Sequence, residues 1–341
     1  MNSARPRKLS SRLRSPLLLA VLLLPMSKDT LNEFTVVGMR RESPLPSATD
    51  HPTPLLPLPR SGKKLYLHDH SQLHTFLSAH PSFVSAELLR EKIANVPKGI
   101  WIASDWDTPY EEIVAQASAQ NAMPIFIVYN AIQRDLGGES VGGAPNLAAY
   151  LHWFENFVRR TGSSDMIVIL EPDALPHMLE MHPDDQLVRV HMIASALARL
   201  RQNKKAKVYL DIGHPRWLAV EEAARLLTQF QVAQFDGFSL NVSHRRPTHE
   251  CLDYGKAISE KVNGKHFVID TSRNAIPQEE WCNPSPEGCG ERPTFHTGEP
   301  LCDAYLWLKS PGESDGTCGG GPPAGTLWID RAIMLATNAK Q

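Results

Sequence analysis

The sequence predicts an α/β fold built on a parallel sheet or a barrel. Seven short apolar segments follow one another along the chain, and most are apolar on both faces, which is typical of parallel strands covered on both sides. Segments with the helical period of apolar residues lie between them. This alternation of strand and helix implies a parallel sheet or barrel. Periodicity alone does not distinguish a seven-stranded barrel from an open sheet.

The predicted strands are rich in Val, Ile, Phe, Tyr and Leu. They are Gly99–Ser104, Pro124–Asn130, Met166–Pro172, Lys207–Gly213, Phe238–Ser243, His266–Ser272 and Ala304–Ser310. Two helices are predicted in detail, Leu147–Val158 and Asp184–Leu200, the second after a Pro183-Asp184 start. Their predicted buried faces are Leu147, Leu151, Phe154 and Phe157 or Val158 in the first, and Leu187, Val190, Ile193, Leu197 and Leu200 in the second.

The composition is that of a globular protein. The chain has 341 residues, enough for one large α/β barrel or for two ordinary domains, with 42% apolar and 21% charged residues. Its formal net charge is −2. A charge so close to zero gives no electrostatic support for nucleic-acid binding.

The first 62 residues differ from the rest. Five basic residues and no acidic residue lie in 1–14, directly before the apolar run Leu17–Leu24. A basic head and a short apolar core are typical of a signal peptide, and the run is too short to span a bilayer easily. We predict a signal peptide over 1–26, a proline-rich, extended or disordered leader over 27–62, and a globular domain over 63–341. The protein is then secreted or periplasmic. Because no A-x-A pattern marks a cleavage site, a retained anchor and a misassigned start remain as alternatives.

Polar side chains gather where the predicted strands end. In a parallel barrel these ends converge on one mouth, which holds the site, so residues distant in sequence are expected to meet there. Carboxylates that share a groove cannot all ionise freely, and one retains its proton near neutral pH. A glycosidase needs such a proton on its general acid, and a second carboxylate to activate water on the other face of the sugar. Tryptophans such as Trp101, Trp217 and Trp281 offer flat apolar faces for sugar rings.

Each of these residues also has an ordinary structural interpretation. Asp173 follows a strand and is a candidate helix cap. Arg134 and Asp135 are a candidate surface ion pair, and tryptophans near loops more often belong to a core. Asp211 and His214 are a candidate metal pair, although no H-E-x-x-H or comparable cluster supports a metal site. The joint placement at strand ends favours the catalytic interpretation.

A series of sequence blocks then decides between these interpretations. They run in order over about residues 65–338: Val128–Asn130, Arg134–Asp135, Gly142–Pro145, Ile169–Asp173, Tyr209–His214, Ser239–Ser243, Val268–Asn274, Glu280–Cys282, Leu308–Lys309 and Pro311–Gly316. Together they resemble glycoside hydrolase family 6. The resemblance implies a distorted, seven-stranded, TIM-like (β/α) barrel and a single catalytic domain. It implies a cellulase that inverts the anomeric carbon, needs no cofactor or metal, and has a β-1,4-glucan as its partner, with no nucleic acid and no stable membrane association.

The resemblance also implies roles by position. Asp173 is the proton donor, and Asp135 is the neighbouring carboxylate that keeps Asp173 protonated and helps to manage the water. Tyr129 lies under the sugar at the cleavage subsite, and Asp315 matches the proposed base. The positions that match substrate contacts are Trp101, Asp211, His214, Trp217, Asn241, Trp281, Lys309 and Glu313.

The cysteines fit the resemblance in part. There are five, an odd number, so at least one is unpaired, and no C-x-x-C supports a structural zinc site. Cys282 and Cys318 match a family disulfide that would hold the loop carrying Asp315. Three have no assigned partner: Cys251, Cys289 and Cys302. A second family disulfide would need cysteines where Leu136 and Met181 stand.

One further departure lies near the expected water. The family's usual serine, six residues after the first aspartate, is Val141 here, with Ser140 beside it. This departure motivates an alternative, a glucan-binding protein without turnover. Among enzymes, an endoglucanase is favoured over a cellobiohydrolase, because the segments 135–145 and 315–328 are short and suggest an open cleft.

Overall fold

The computed structural model describes residues 62–103 and 107–340. The predicted signal peptide over 1–26 lies outside the described residues, as does all but the last residue of the predicted leader over 27–62. Ser104, the end of the first predicted strand, also lies outside them.

All seven predicted strands are present, and they pair in parallel in chain order within one sheet. A two-residue parallel pair that the sequence did not predict, β1 (Lys64–Leu65) with β3 (Ala122–Met123), lies apart from this sheet. The seven strands are β2 (Ile100–Ile102), β4 (Ile125–Val128), β5 (Met166–Leu170), β6 (Ala206–Asp211), β7 (Gly237–Leu240), β8 (His266–Asp270) and β9 (Cys302–Leu306). The predicted seven-stranded parallel α/β fold is therefore confirmed.

The α-helices of the described residues lie between the strands and at both ends of the domain. They are α1 (Gln72–Ala79), α2 (Ala86–Leu89), α3 (Tyr110–Ala119), α4 (Leu147–Thr161), α5 (Ala174–Met178), α6 (Pro183–Leu200), α7 (Val220–Gln229), α8 (Thr248–Lys261) and α9 (Ile329–Thr337). Asn146 caps α4 by accepting from the amide of Ala149, and α6 starts at Pro183, as predicted. Among the helices described, none combines the length and apolarity that crossing a bilayer requires.

The sheet curls into an incomplete barrel. Its edge strands β2 and β9 are not paired in the ladder, but their ends meet where the amide of Gly99 donates to the carbonyl of Trp307 at 2.7 Å. The indole Nε1 of Trp101 donates to the carbonyl of Leu308 at 2.8 Å. A Cβ at Gly99 would lie 2.6 Å from that carbonyl oxygen, so only glycine permits this approach.

Alternate strand residues fill the two faces of the sheet. The inner face is packed with residues such as Ile125, Ile127, Ile167 and Ile169. The outer face packs against the helices through residues such as Phe126, Val128, Val168 and Leu170. Every residue of β5 is buried, which explains why the strand is apolar on both faces.

The buried faces of two helices differ from those predicted. In α6, Leu187 is 39% exposed, whereas Arg189 is only 2% exposed. The observed buried face is Arg189, Met192, Ile193, Ala196, Leu197 and Leu200. Ile193, Leu197 and Leu200 are buried as predicted, and the buried face is turned away from Leu187 toward Arg189. In α4 the buried face is centred on Tyr150, Trp153, Phe154 and Phe157, with Leu147 and Leu151 only partly buried.

Candidate active site

The C-terminal ends of the strands open on a cleft of about 1120 Å³. Ten of the twelve residues to which the sequence assigned catalysis or substrate contact line it: Trp101, Tyr129, Asp135, Asp173, His214, Trp217, Trp281, Lys309, Glu313 and Asp315. The other two, Asp211 and Asn241, are fully buried beneath its floor. Ten of the twelve residues, although distant in sequence, thus lie together at one mouth, as expected.

Asp173 stands at the start of α5 but does not cap it. Its backbone has a left-handed φ of 67°, and its side chain makes no capping hydrogen bond. Its Oδ1 is buried and has no hydrogen-bond partner among the described residues. The helix-cap interpretation of Asp173 is therefore wrong. A left-handed, non-glycine residue with an unpaired carboxyl oxygen is strained, and such strain is found where the surroundings enforce it.

Burial is the main reason that the pKa of Asp173 lies well above its usual range. The nearby carboxylates of Asp211 and Asp135 raise this pKa further. Both effects disfavour the ionised form, because a charge there would lose solvation and face like charges. Both effects therefore favour the protonated form of Asp173, which lines the cleft.

Asp211 supports the turn that carries Asp173. Its Oδ1 accepts from the amides of Asp173 at 3.0 Å and Gly213 at 3.1 Å, and its Oδ2 accepts from the hydroxyl of Ser239 at 3.1 Å. Burial raises the pKa of Asp211 to about 7. Asp211 therefore holds the backbone of Asp173 and Gly213 and the side chain of Ser239 below the cleft.

Two more buried carboxylates tie neighbouring strand ends together in the same way. Oε2 of Glu171, after β5, accepts from the amides of Asn130 at 3.0 Å and Ala131 at 2.8 Å, after β4. Asp270, at the end of β8, accepts from the amides of Ser243 at 2.9 Å and Leu308 at 3.2 Å. Burial raises the pKa of both, that of Glu171 to about 7. The mouth of the barrel is thus held by protonatable groups.

Asn241 also serves the backbone. Its Nδ2 donates to the carbonyl of Asp270 at 2.9 Å, and its Oδ1 accepts from the amide of Arg246 at 3.0 Å. The structure therefore places Asn241 among the supports of the site, with 0% exposure.

The segment that carries Asp135 is a tight, strained loop. Gln133, Asp135 and Leu136 have left-handed φ values of 53°, 59° and 45°. Oδ2 of Asp135 accepts from the amide of Ser140 at 2.7 Å. Ser140 lines the cleft beside Val141, which is 63% exposed. The carboxylate of Asp135 is thereby oriented by Ser140, the neighbour of Val141, which stands where the family usually has serine.

Arg134 does not pair with Asp135, and its guanidinium binds backbone carbonyls instead. Its Nη1 donates to the carbonyl of Tyr129 at 2.9 Å, its Nε donates to the carbonyl of Ser140 at 2.8 Å, and its guanidinium lies 4.9 Å from the ring centroid of Tyr129. Trp101 meets the Tyr129 ring edge to face, with centroids 5.1 Å apart. Lys309 Nζ lies 5.4 Å from the Trp101 ring and 3.3 Å from Glu313 Oε2. These rings and cations form the floor at this end of the cleft.

Asp315 is held by two arginines. Its Oδ2 accepts from Arg245 Nη2 at 2.5 Å, and its Oδ1 accepts from Arg273 Nη1 at 2.8 Å. Burial alone would raise the pKa of Asp315, but the positive charges of Arg273, Arg245 and Lys309 outweigh it and hold that pKa far below its usual range. An ionised, doubly paired carboxylate is a weak proton acceptor.

This ion pair extends into a buried network. Glu287, which is fully buried, accepts from both Arg245 and Arg331, and Arg331 lies on α9. Asp315 is thereby connected to the last helix of the domain. Removing any one member would leave buried charge without its partner, which is far costlier than losing an exposed pair.

The Asp315 loop is also fixed covalently. Cys282 and Cys318 form a disulfide with Cα atoms 6.2 Å apart, so this implied pairing is confirmed. Beside it, Asn283 accepts from the amide of Asp315 at 2.9 Å and donates to the carbonyl of Gly316 at 2.8 Å. The remaining three cysteines are unpaired and buried: Cys251, Cys289 and Cys302.

Trp217 lies among three histidines at the other end of the cleft. Its ring centroid is 5.0 Å from that of His177, 5.7 Å from His214 and 5.9 Å from His244. Burial lowers the pKa of all three imidazoles, that of His214 to about 4. They are therefore neutral at neutral pH and form an uncharged aromatic wall whose rings are tilted against one another.

The two loops beside the cleft touch each other. The carboxylate of Glu139, in the Asp135 loop, accepts from the amide of Thr317 at 2.9 Å and from its hydroxyl at 3.2 Å. A Cβ at Gly316 would lie 2.4 Å from Glu139 Oε2, so a larger residue there would require the Glu139 side chain to move. Both loops are as short as the sequence suggested, and one exposed contact joins them.

Sequence reasoning missed several residues that line the cleft. His177 lies one helical turn after Asp173, and this i, i+4 spacing was a usable signal. Arg246 and Glu279 form an ion pair at 3.0 Å on the rim, and neither carried a signal in the sequence. Within 62–103 and 107–340, no group of three or more His, Cys, Asp or Glu side chains is placed to hold a metal ion.

Comparison with known proteins places this site in a family. The family described as Glycosyl hydrolases family 6 matches residues 61–339. The chain belongs to glycosyl hydrolase family 6. Endoglucanase A of Thermobispora bispora is 37% identical over 80% of the chain, and Endoglucanase A of Cellulomonas fimi is 39% identical over 74% of it. The chain spans 62% and 56% of the lengths of these two family 6 relatives.

A solved family 6 structure agrees with the fold. The endoglucanase of Mycobacterium tuberculosis, solved with a thio-linked cello-oligosaccharide, is 37% identical and superposes with a TM-score of 0.76. The alignment covers 82% of this chain and 98% of that protein. The distorted family 6 barrel expected from the sequence is therefore confirmed.

Proposed function

We propose that this protein is an inverting endo-β-1,4-glucanase in which Asp173 is the general acid. The observation that carries the proposal is the carboxyl group of Asp173, which lines the cleft with one buried oxygen unpaired and with a pKa that burial and two carboxylates raise. A general acid must be protonated at the working pH and must face the leaving oxygen. Asp173 meets the first condition through burial and its carboxylate neighbours.

In this mechanism Asp173 protonates the glycosidic oxygen while water attacks the anomeric carbon from the opposite face. The proton that the water loses goes to Asp135 or to Asp315. Arg245 and Arg273 reduce the basicity of Asp315. We therefore assign the role of proton acceptor to Asp135, whose Oδ2 accepts from the amide of Ser140. Tyr129 and the rings around it support the sugar at the cleavage point.

The glucan substrate is supported by the aromatic surfaces of the cleft and by the relatives. Trp101 and Trp281 lie along it, and Trp281 is 49% exposed, which suits stacking on a sugar ring. The two family 6 relatives named above are both called endoglucanases. Attack on internal bonds also suits the short loops, because the contact that joins them, between Glu139 and Thr317, is exposed.

We also propose that the protein is exported. The support is the basic head and apolar run before residue 27, together with a disulfide, which persists in oxidising compartments. Cleavage would be checked by N-terminal sequencing of the protein recovered from the culture medium.

The test is hydrolysis of soluble carboxymethyl cellulose by the wild type and Asp173→Asn, with viscosity and reducing ends followed together. A rapid fall in viscosity with few new ends, lost in the variant, supports the proposal. Asp253→Asn, at an exposed carboxylate on α8, is the matched control and should behave as the wild type. Glucan binding without hydrolysis by the wild type would instead indicate the binding protein suggested by Val141.

A further inference from the structure

Helix α6 carries a buried arginine that reaches the backbone behind the cleft. Arg189 is 2% exposed. Its Nη1 donates to the carbonyl of Ala174 at 2.9 Å. Its Nη2 donates to the carbonyl of Ile132 at 2.6 Å and to that of Gln133 at 3.4 Å. One planar guanidinium therefore holds two separate backbone segments in a fixed geometry.

These two segments carry the two carboxylates of the proposed proton donor site. Ala174 directly follows Asp173, and Gln133 lies two residues before Asp135. Glu171 joins the same segments from the other side, through the amides of Asn130 and Ala131. Arg189 and Glu171 together clamp the end of β4 to the end of β5.

The clamped loop needs outside support. Left-handed residues such as Gln133, Asp135 and Leu136 are strained and persist only where surrounding contacts enforce them. The backbone carbonyls of Ile132 and Gln133 receive that support from Arg189. Because Arg189 also donates to the carbonyl of Ala174, it links the loop to the turn that carries Asp173.

A buried arginine such as Arg189 on the inner face of a helix is energetically unfavourable. Burying a guanidinium costs several kcal/mol after relaxation, and its Nε has no hydrogen-bond partner in the part of the chain that the structure describes. It forms no ion pair within 4.0 Å there, and its three acceptors are carbonyl oxygens. A methionine would fill the same space with less desolvation. The carbonyls that Arg189 binds are the ones beside the two carboxylates.

We propose that Arg189 is a positioning residue that fixes the separation between the carboxylates of Asp173 and Asp135. The inference rests on the proposed function, in which Asp135 keeps the proton on Asp173. If the clamp is released, the Asp135 loop relaxes away from Asp173. The like-charge effect that holds the proton then weakens, and the acid is lost at a lower pH.

The groups that face Asp173 define what a pH measurement reports. Asp211 approaches it from the end of β6, and Asp135 and Tyr129 approach it from the loop after β4. His177 lies one turn along α5. Arg189 itself contacts only the backbone at Ala174 on this side, so its effect on Asp173 is expected to run through the position of Asp135.

The experiment compares Arg189→Met with Arg199→Met on the same helix. Arg199 is a matched control because it binds Glu155 at 2.8 Å on the outer surface. The readouts are kcat and KM on a soluble cello-oligosaccharide, the pH profile of kcat/KM, and the unfolding midpoint in urea. For Arg189→Met we expect a fall of about 100-fold in kcat with little change in KM, and an alkaline limb displaced to lower pH by about one unit.

Arg189→Lys keeps the charge and is expected to recover part of kcat and of the pH profile, even if Arg189→Met does not fold. A folded Arg189→Met or Arg189→Lys with unchanged kcat and an unchanged alkaline limb would overturn the inference, whatever its urea midpoint. An Arg199→Met variant with the same changes would overturn it too. A wild type with no Asp173-dependent hydrolysis would remove the proposed function and this inference together.

Discussion

The backbone amide of Asp173 donates to Oδ1 of Asp211 at 3.0 Å. One buried carboxyl group thus sets the orientation of the turn on which a second carboxyl group stands. The two titrate together, because ionising either places charge beside the other in a poorly solvated region. Asp211 is therefore expected to control both the position and the proton of Asp173.

The first prediction concerns Asp211→Asn. The amide oxygen can still accept from the amides of Asp173 and Gly213, so the turn should be kept. Removing the charge removes one cause of the raised pKa of Asp173. We expect the alkaline limb of the kcat/KM profile to move to lower pH by about one unit. Asp236→Asn is the control, because Asp236 accepts from the amide of Val208 at the opposite end of β6, and its profile should match the wild type.

The second prediction concerns the pH dependence of stability. Burial raises the pKa of Glu171 to about 7 in the folded protein, from about 4.3 in the unfolded chain. Its stabilising contribution is complete below the unfolded pKa and is lost as the pH rises through about 7. Asp211 acts in the same direction. The contribution of these two carboxyl groups to the free energy of unfolding is therefore expected to fall as the pH rises from about 5 to about 7.

Glu171→Gln should flatten this dependence, since a glutamine oxygen can accept from the same two amides without titrating. Relative to the wild type, the unfolding free energy of Glu171→Gln is expected to change between about pH 5 and pH 8 in the favourable direction by on the order of 2 kcal/mol, measured by urea unfolding. Glu155→Gln, at an exposed carboxylate on α4, should leave it unchanged. Equal slopes in the wild type and Glu171→Gln would show that Glu171 does not titrate in this range.

The third prediction concerns Asp315→Asn. This change leaves Arg273 buried without its carboxylate and Arg245 with Glu287 alone, and breaking a buried pair costs about 3–5 kcal/mol. The measurement is the urea unfolding free energy near pH 6. Glu222→Gln breaks a partly exposed pair with Arg225 on α7 and should cost less than about 1 kcal/mol. Similar losses in the two variants would contradict the structural role of the buried network.

The fourth prediction concerns Glu139→Ala. The change removes the acceptor that joins the two loops beside the cleft at Thr317. A charge-assisted contact of about 1 kcal/mol on an exposed surface corresponds to a roughly fivefold shift toward separated loops. We expect a steeper viscosity fall per reducing end on carboxymethyl cellulose. Glu87→Ala, at an exposed position on α2, should leave this ratio unchanged, and an unchanged ratio in Glu139→Ala would show that the contact does not gate the cleft.

The sequence predicted the sheet well because its strands are apolar on both faces, as in β5, where every residue is buried. The mouth of the site was predictable for the same reason, since parallel strands end at one edge. Position at a strand end does not say whether a side chain points into the cleft. Asp173 faces it, whereas Asp211 and Asn241 turn below it.

The supporting charges were harder to predict. Arg189, Arg245 and Arg331 are almost fully buried, whereas arginine is usually an exposed residue. Each pairs with groups far along the chain, as Arg245 does with Asp315. The local sequence pattern does not indicate such distant partners, so only the tertiary structure identifies them. The same applies to the contact between Glu139 and Thr317.

The three unpaired cysteines have a consequence for how the protein is made. In the native state Cys251, Cys289 and Cys302 are at most 3% exposed, and burial raises the pKa of each thiol well above its usual range. Thiolates are the reactive form, so these three are inert once the domain has folded. Before folding, all five thiols are equally open to oxidation and exchange. The yield of correctly bonded protein from a reduced, unfolded chain therefore depends on whether folding buries these three thiols faster than they are oxidised.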